Sequence, residues 1–369
     1  MDLLPPENEA FLSQQLITYI GNKRSLLPFI GEALEKVKKR LGRERLKVFD
    51  AFSGSGAAAR YFKAHAELLL VNDLEAYSET INRCYLANTE ELPLGELREI
   101  YRALIRRLGE EPLRKGFISE LYAPEDENDI RPDERVFYTP RNAMYIDTAR
   151  HYIEEIDPAL RHFFIAPLLA QASVHANTAG VFKGFYKDRH TGKGRFGGTA
   201  RNALSRIKGD IDLPFPVWSD FSCPVKIFRQ DTNKLVLDLE ETDLAYLDPP
   251  YNQHPYGSNY FMLNLILSYK RPGVLSPVSG IPPDWKRSVY NSRREAARAF
   301  EDLAVKIRSK FLLVSFNSEG FISSGEMRSM LEKTGKVDVF ETNYNTFRGS
   351  RNLRERRTHV KEYLFLVEK

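Results

Sequence analysis

The stretch Lys47-Val48-Phe49-Asp50-Ala51-Phe52 reads as one short strand, and it passes into Ser53-Gly54-Ser55-Gly56 and then into Ala57 to Phe62, which suits the start of a helix. Strand, glycine turn and helix in that order read as the opening of a Rossmann-like α/β unit. The glycines let backbone N–H groups approach a ligand closely at the helix start. The third glycine of the dinucleotide fingerprint is missing, and Arg60 follows where a small residue is usual. That argues against NAD. A second strand, Leu68 to Val71, ends in Asn72-Asp73. An acid roughly 20 positions beyond the glycine turn, at the tip of the second strand, is suited to accept hydrogen bonds from ribose hydroxyls.

A second constellation lies far downstream. The apolar run Leu244-Ala245-Tyr246-Leu247 delivers Asp248-Pro249-Pro250-Tyr251 to the carboxyl edge of a sheet, where open α/β folds bind ligands. Asp248 and the Pro249 carbonyl can each accept a hydrogen from an exocyclic amine. The prolines fix φ and donate no hydrogen bond, so the carbonyls project from a rigid turn. Tyr251 would stack on the ring bearing the amine. The same four residues also suit an ordinary strand-to-turn junction, in which Pro-Pro stops the strand and Asp248 solvates the loop.

With 369 residues the chain is long enough for two domains, or for one with a substantial insertion. The longest apolar candidate for a membrane span, Phe163 to Val174, falls short of the ~18 to 20 residues required and contains Pro167 and Gln171. Asp2, Glu7 and Glu9 near the N-terminus do not suit a signal peptide, so a cytoplasmic protein is expected. Cys84 and Cys223 are too few for a disulfide framework or a cysteine-based zinc site, and nothing among the seven histidines resembles a metal constellation. The net charge of +4 permits a polyanionic partner without demanding one.

Tyr19-Ile20-Gly21-Asn22-Lys23-Arg24 precedes a helical period carried by Leu26, Leu27, Ile30, Leu34 and Val37. Lys23 sits at the wrong end of that helix for its dipole, which a nearby anion would resolve. From about residue 90 the doubly wound pattern stops. Residues 91 to 109 read as an amphipathic helix and 141 to 175 as helical. Between Lys183 and Lys208 there are eight Lys or Arg residues and one acid. Glycines and aromatics interleave there, giving a hairpin or mobile loop whose Lys183, Lys187, Arg189, Lys193 and Arg195 could reach phosphates or base edges, or simply be solvated. Strands are expected at Val225 to Phe228, Phe311 to Phe316 and Glu362 to Val367, and a buried helix at Phe261 to Leu267, capped by Gly257 to Tyr260. An arginine run that includes Arg348 and Arg351 is a second candidate phosphate-binding surface.

Taken together, Tyr19 with Lys23, Phe52-Ser53-Gly54-Ser55-Gly56, Asp73 and Asp248 to Tyr251 stand in the order that resembles the alpha-group, Dam-like adenine-N6 DNA methyltransferases, notably those of restriction-modification systems. The resemblance implies a Rossmann-like methyltransferase sheet made by residues 1–90 and 236–369, with a mainly helical target-recognition domain inserted at 91–235. It implies S-adenosylmethionine as cofactor, held by Tyr19, Lys23, Asp50, Phe52, Gly54, Gly56, Asp73 and Asp248, and double-stranded DNA as substrate, with a cognate restriction endonuclease as a possible partner. The expected reaction is direct attack by the flipped adenine amine, with Asp248, Pro249, Pro250 and Tyr251 as the catalytic set and no metal. Family members more often have Trp at the position of Tyr19 and Gly at that of Asn22. Exocyclic N4-cytosine methylation uses the same amine chemistry, usually with Ser in place of Asp248. A DNA-binding protein on a dead methylase fold is the non-enzymatic alternative.

Overall fold

A computed structural model describes residues 7–198, 203–250, 252–317, 320–345 and 359–369. Its centre is a seven-stranded sheet of β1 (Leu46–Asp50), β2 (Ala66–Asn72), β3 (Val225–Phe228), β4 (Thr242–Leu247), β5 (Ser309–Asn317), β6 (Lys336–Asn345) and β7 (His359–Glu368). The spatial order is β3-β2-β1-β4-β5-β7-β6. The first five strands in that order are parallel, and β7 runs antiparallel to both β5 and β6. This is the doubly wound, Rossmann-like sheet expected from the glycine turn.

Side chains alternate between two buried faces, as the period of a strand requires. Val48, Leu69, Val71, Leu244, Tyr246, Phe311 and Leu313 pack with Ile30, Leu34 and Val37 of the helix Leu27–Leu41 and with Tyr61 and Phe62 of the helix Ala57–Lys63. Phe49, Leu70, Ala245, Leu247, Leu312 and Val314 face the other way. They pack with Phe300 and Leu303 of the helix Ala296–Lys306 and Met327 and Leu331 of the helix Ser324–Glu332. All six residues of β4 are buried, and the four from Leu244 to Leu247 form an unbroken apolar run as burial on both faces requires.

A third core is helical. It joins Leu97, Leu104 and Leu108 of the helix Leu94–Glu110 with the helices Pro140–Ile153 and His162–Val174. The stretch read as helical from 141 to 175 is thus two helices, and Asp157-Pro158 lies in the break. The same core takes in Tyr77, Ile81 and Cys84 of the helix Ala76–Tyr85 and Phe261 to Ile266 of the helix Phe261–Ser268. Gly257 to Tyr260 does not simply cap that last helix: Tyr256–Asn259 forms a helical turn of its own. Strand β3 lies within residues 91–235, yet its hydrogen bonds are made to β2 at the sheet edge. Both cysteines are buried and free. Among the described residues, no helix is long and apolar enough to cross a membrane.

Candidate active site

The strand order reverses between β1 and β4, so the carboxyl ends of these neighbours open a crevice at the sheet's switch point. Three sequence-distant pieces meet there: the glycine turn after β1, the Asp73 tip of β2, and Asp248 after β4. The cleft, about 880 Å³ of empty space including its open mouth, is lined by, among others, Tyr19, Lys23, Phe52, Gly54, Asp73 and Asp248. Pro250 also lines it. Asp50, Gly56 and Pro249, also expected at the site, are buried and do not line the cleft, though each lies within two residues of one that does. Tyr251, Arg348 and Arg351 lie outside the described residues.

The glycine turn is shaped by its neighbours. Gly54 and Gly56 have φ of +55° and +78°, a region that side chains with a Cβ rarely adopt. A Cβ at Gly54 would stand 2.7 Å from the ring of Tyr19, and one at Gly56 would stand 2.9 Å from Oδ1 of Asn82. Asp73 accepts hydrogen bonds from the N–H of Gly54 at 2.7 Å and of Glu75 at 2.9 Å. Burial pushes its carboxyl up, and those two N–H groups oppose the shift. Asp73 therefore fixes the glycine turn as well as facing the cleft.

Tyr19 does not stand alone. Its ring is stacked with Tyr256 and Tyr260, with centroids 4.9 and 4.8 Å away and planes tilted by 19° and 22°. The hydroxyl of Tyr260 accepts the N–H of Ile20 at 2.8 Å, holding the N-terminal segment against the loop that follows Asp248. These two tyrosines were read in sequence only as part of a loop and a helix cap.

Lys23 is buried, and its Nζ lies 3.1 Å from Oδ1 of Asp248 and 3.3 Å from Oε1 of Glu362 on β7. The lysine misplaced at a helix start is thus answered by two carboxylates of this chain. Burial pushes the Asp248 carboxyl up to about 6; Lys23 holds it down and Glu362 adds to the rise. Burial and the charge of Asp248 also push Asp50 well up, and neither of its oxygens has a hydrogen bond of regular geometry.

Glu75, Tyr290, Lys286 and Asn291 also line the cleft and were missed in the sequence. Burial raises Glu75 to about 7, against a 2.8 Å hydrogen bond from Asn264 Nδ2. Asn291 Nδ2 donates to the carbonyl of Asn252 at 2.9 Å, fastening the loop that follows the Asp-Pro-Pro motif. Glu75 could have been suspected from its place two residues after Asp73. Residues 286–291 carry no motif, and only the packing of that loop brings them to the cleft.

The basic hairpin is ordered away from the cleft wall. Lys187 bridges to Gly194, and Asp188 accepts the N–H groups of His190 and Thr191 at 3.0 and 2.9 Å across the tip. Lys183, Lys187 and Arg189 are exposed, and Lys193 is half-buried. Arg195 is turned inward, donating to the carbonyls of Gly197 and Gly198. It holds the hairpin's base and is less available to a partner than the other four.

A doubly wound sheet with a glycine turn, an acid at the second strand tip and an Asp-Pro-Pro turn at the switch point defines a Rossmann-like methyltransferase. Residues 19–330 match the family model of D12 class N6 adenine-specific DNA methyltransferases, and the chain belongs to that family. It is 31% identical over 365 residues to the Type II methyltransferase M.NlaIII of Neisseria lactamica, covering 96% of this chain and 99% of that one. It is 30% identical to the Type II methyltransferase M.CviAII of Paramecium bursaria Chlorella virus 1, covering 95% and 98%. The Type II methyltransferase M.FokI of Planomicrobium okeanokoites is 26% identical over 95% of this chain, which spans 52% of that protein. The chain is accordingly a site-specific adenine-N6 DNA methyltransferase.

Proposed function

We propose that the cleft binds S-adenosylmethionine and that Asp248, with the carbonyl of Pro249, receives the amine of an adenine flipped out of duplex DNA. The observation that carries this reading is the placement of Asp248 at the switch point, in one cleft with the glycine turn and Asp73. Acidic groups outnumber basic ones at the cleft: Asp73, Glu75, Asp231 and Asp248 line it, against Lys23 and Lys286, and a cationic ligand would favour their ionised forms. The cofactor, when bound, supplies a sulfonium methyl as the electrophile. Asp73 suits its ribose hydroxyls, and Gly54 leaves room for it beside Tyr19.

The chain's own contribution to the chemistry is mainly positioning. Asp248 accepts one amine hydrogen and the Pro249 carbonyl the other, which turns the nitrogen lone pair out of the ring plane and toward the methyl carbon. Flipping the base costs about a few kcal/mol. Stacking on Tyr251 would return roughly 1–3 kcal/mol of that.

Residues 91–224, the helical insert without β3, are the proposed target-recognition region, with Lys183, Lys187, Arg189 and Lys193 toward phosphates and Arg348 and Arg351 as a second basic contact. The Type II relatives support the further reading that a restriction endonuclease in the cytoplasm recognises the same site. Modification-aware sequencing of DNA from cells expressing the protein tests the assignment. We expect N6-methyladenine in one short sequence context. Unmodified adenine at every site in cells making folded protein would overturn it.

A further inference from the structure

Asp248 is held from one side by Lys23, and Lys23 is held from the other by Glu362. The ammonium meets Oδ1 of Asp248 at 3.1 Å and Oε1 of Glu362 at 3.3 Å. Lys23 and Glu362 are 5% and 2% exposed, so this charge cluster is screened very little by solvent. Its three members come from the N-terminal segment, the end of β4 and β7. Glu362 is pinned independently: it sits opposite Asn317 in the β5–β7 ladder, and Ser315 Oγ donates to the same Oε1 at 3.2 Å.

A second buried carboxylate beside Asp248 is a costly way to build a sheet. It makes sense as an anchor. Without this second carboxylate, a lysine on its flexible four-carbon stem could move onto both oxygens of Asp248 and compete with the substrate amine. Anchored by Glu362, it stays on Oδ1. We infer that Glu362 is a positioning residue for methyl transfer: it holds Lys23 on Oδ1 of Asp248 and so keeps Oδ2 for the amine of the target base. This rests on the reading of Asp248 given above. Among the described residues, the titratable groups Asp50 on β1 and Tyr246 on β4 itself also face Asp248.

The test is single-turnover methyl transfer with saturating cofactor and DNA, measured across pH for the parent chain, Glu362→Gln and Lys23→Met. Glu362→Gln removes a negative charge from beside Asp248 and releases the ammonium toward it. The acid limb of its profile should move to lower pH, while the plateau rate falls by roughly 10- to 100-fold as the amine is misplaced. Lys23→Met leaves the two carboxylates facing each other, so its limb should move to higher pH. If Glu362→Gln keeps the parental plateau, or loses rate with its limb unmoved, Glu362 has no role beyond structure and the inference fails. Should Glu362→Gln not fold, Glu362→Asp keeps the charge and withdraws the anchor by one methylene. It should then lose plateau rate, and a parental plateau would again overturn the inference. A parent chain whose Asp248→Ala variant transfers methyl normally would instead sink the reading of Asp248 itself.

Discussion

If Asp248 receives the amine as proposed, it serves activity at some expense to stability. Its carboxyl is raised from 3.8 to about 6 by burial, so the folded state favours the neutral form. Its contribution to stability is therefore full below pH 3.8 and is lost as the pH rises through about 6. Transfer runs the other way, because the ionised group is the better acceptor. We expect the single-turnover rate to fall below about pH 6. Asp248→Asn, which keeps one carbonyl acceptor but does not titrate, should lose that acid limb and retain some activity. A limb that persists in Asp248→Asn would assign it to another group. Asp73 holds the glycine turn and, in the proposed reading, the cofactor as well. Asp73→Ala should weaken S-adenosylmethionine binding by about 1.5–3 kcal/mol, since hydrogen bonds to a charged acceptor are lost, and calorimetric titration reads this directly. Both aspartates were legible in the sequence because each ends an apolar strand. Glu362 was not: it lies in a strand whose apolar pattern explains itself, and only the folding of β7 against β5 brings it to Lys23.

The elements that the sequence exposed most clearly are those buried on both faces. β4 was legible as the apolar run Leu244 to Leu247 and β5 as the buried strand Phe311 to Phe316, and both positions agree with the structure to within a few residues at either end. β6 was missed. It is an edge strand of mixed polarity, with Val339 43% exposed, and such a pattern does not separate from a loop without its partner. The hairpin after Tyr186 was legible as basic but not as ordered. Its order comes from Asn177, whose Nδ2 donates to the carbonyls of Val136 and Arg195 at 2.7 and 2.9 Å. If its cations meet phosphate, Lys187, Arg189 and Lys193 changed together to Ala should flatten the dependence of DNA affinity on salt, by a log–log slope of about 0.9 per lost contact. An unchanged slope would make the hairpin a solvated surface. Arg195→Ala should act differently, lowering thermal stability through the lost contacts to Gly197 and Gly198.

At the scale of the whole molecule, the insert is continuous with the catalytic part. Arg150, 1% exposed, donates its Nε–H to the carbonyl of Ile266 at 2.8 Å, and the indole N–H of Trp218 donates to the carbonyl of Cys84 at 2.8 Å. These bonds cross the boundaries that sequence reasoning drew at 90 and 236, where composition changes although packing does not. One calorimetric unfolding transition is expected in consequence, and two resolved transitions would show that the shared helical core does not couple the parts. Saturating cofactor at 100 times its Kd should raise the stability of that single unit by about 2.7 kcal/mol. The central claim is that a carboxylate at the switch point directs a methyl group onto the exocyclic amine of adenine. Its most direct test transfers labelled methyl from S-adenosylmethionine to duplex DNA, digests the product to nucleosides and identifies the labelled one, with folded Asp248→Ala in parallel. The account predicts label in N6-methyldeoxyadenosine for the parent chain and none for Asp248→Ala. Label in N4-methyldeoxycytidine, or equal label from Asp248→Ala, would contradict it.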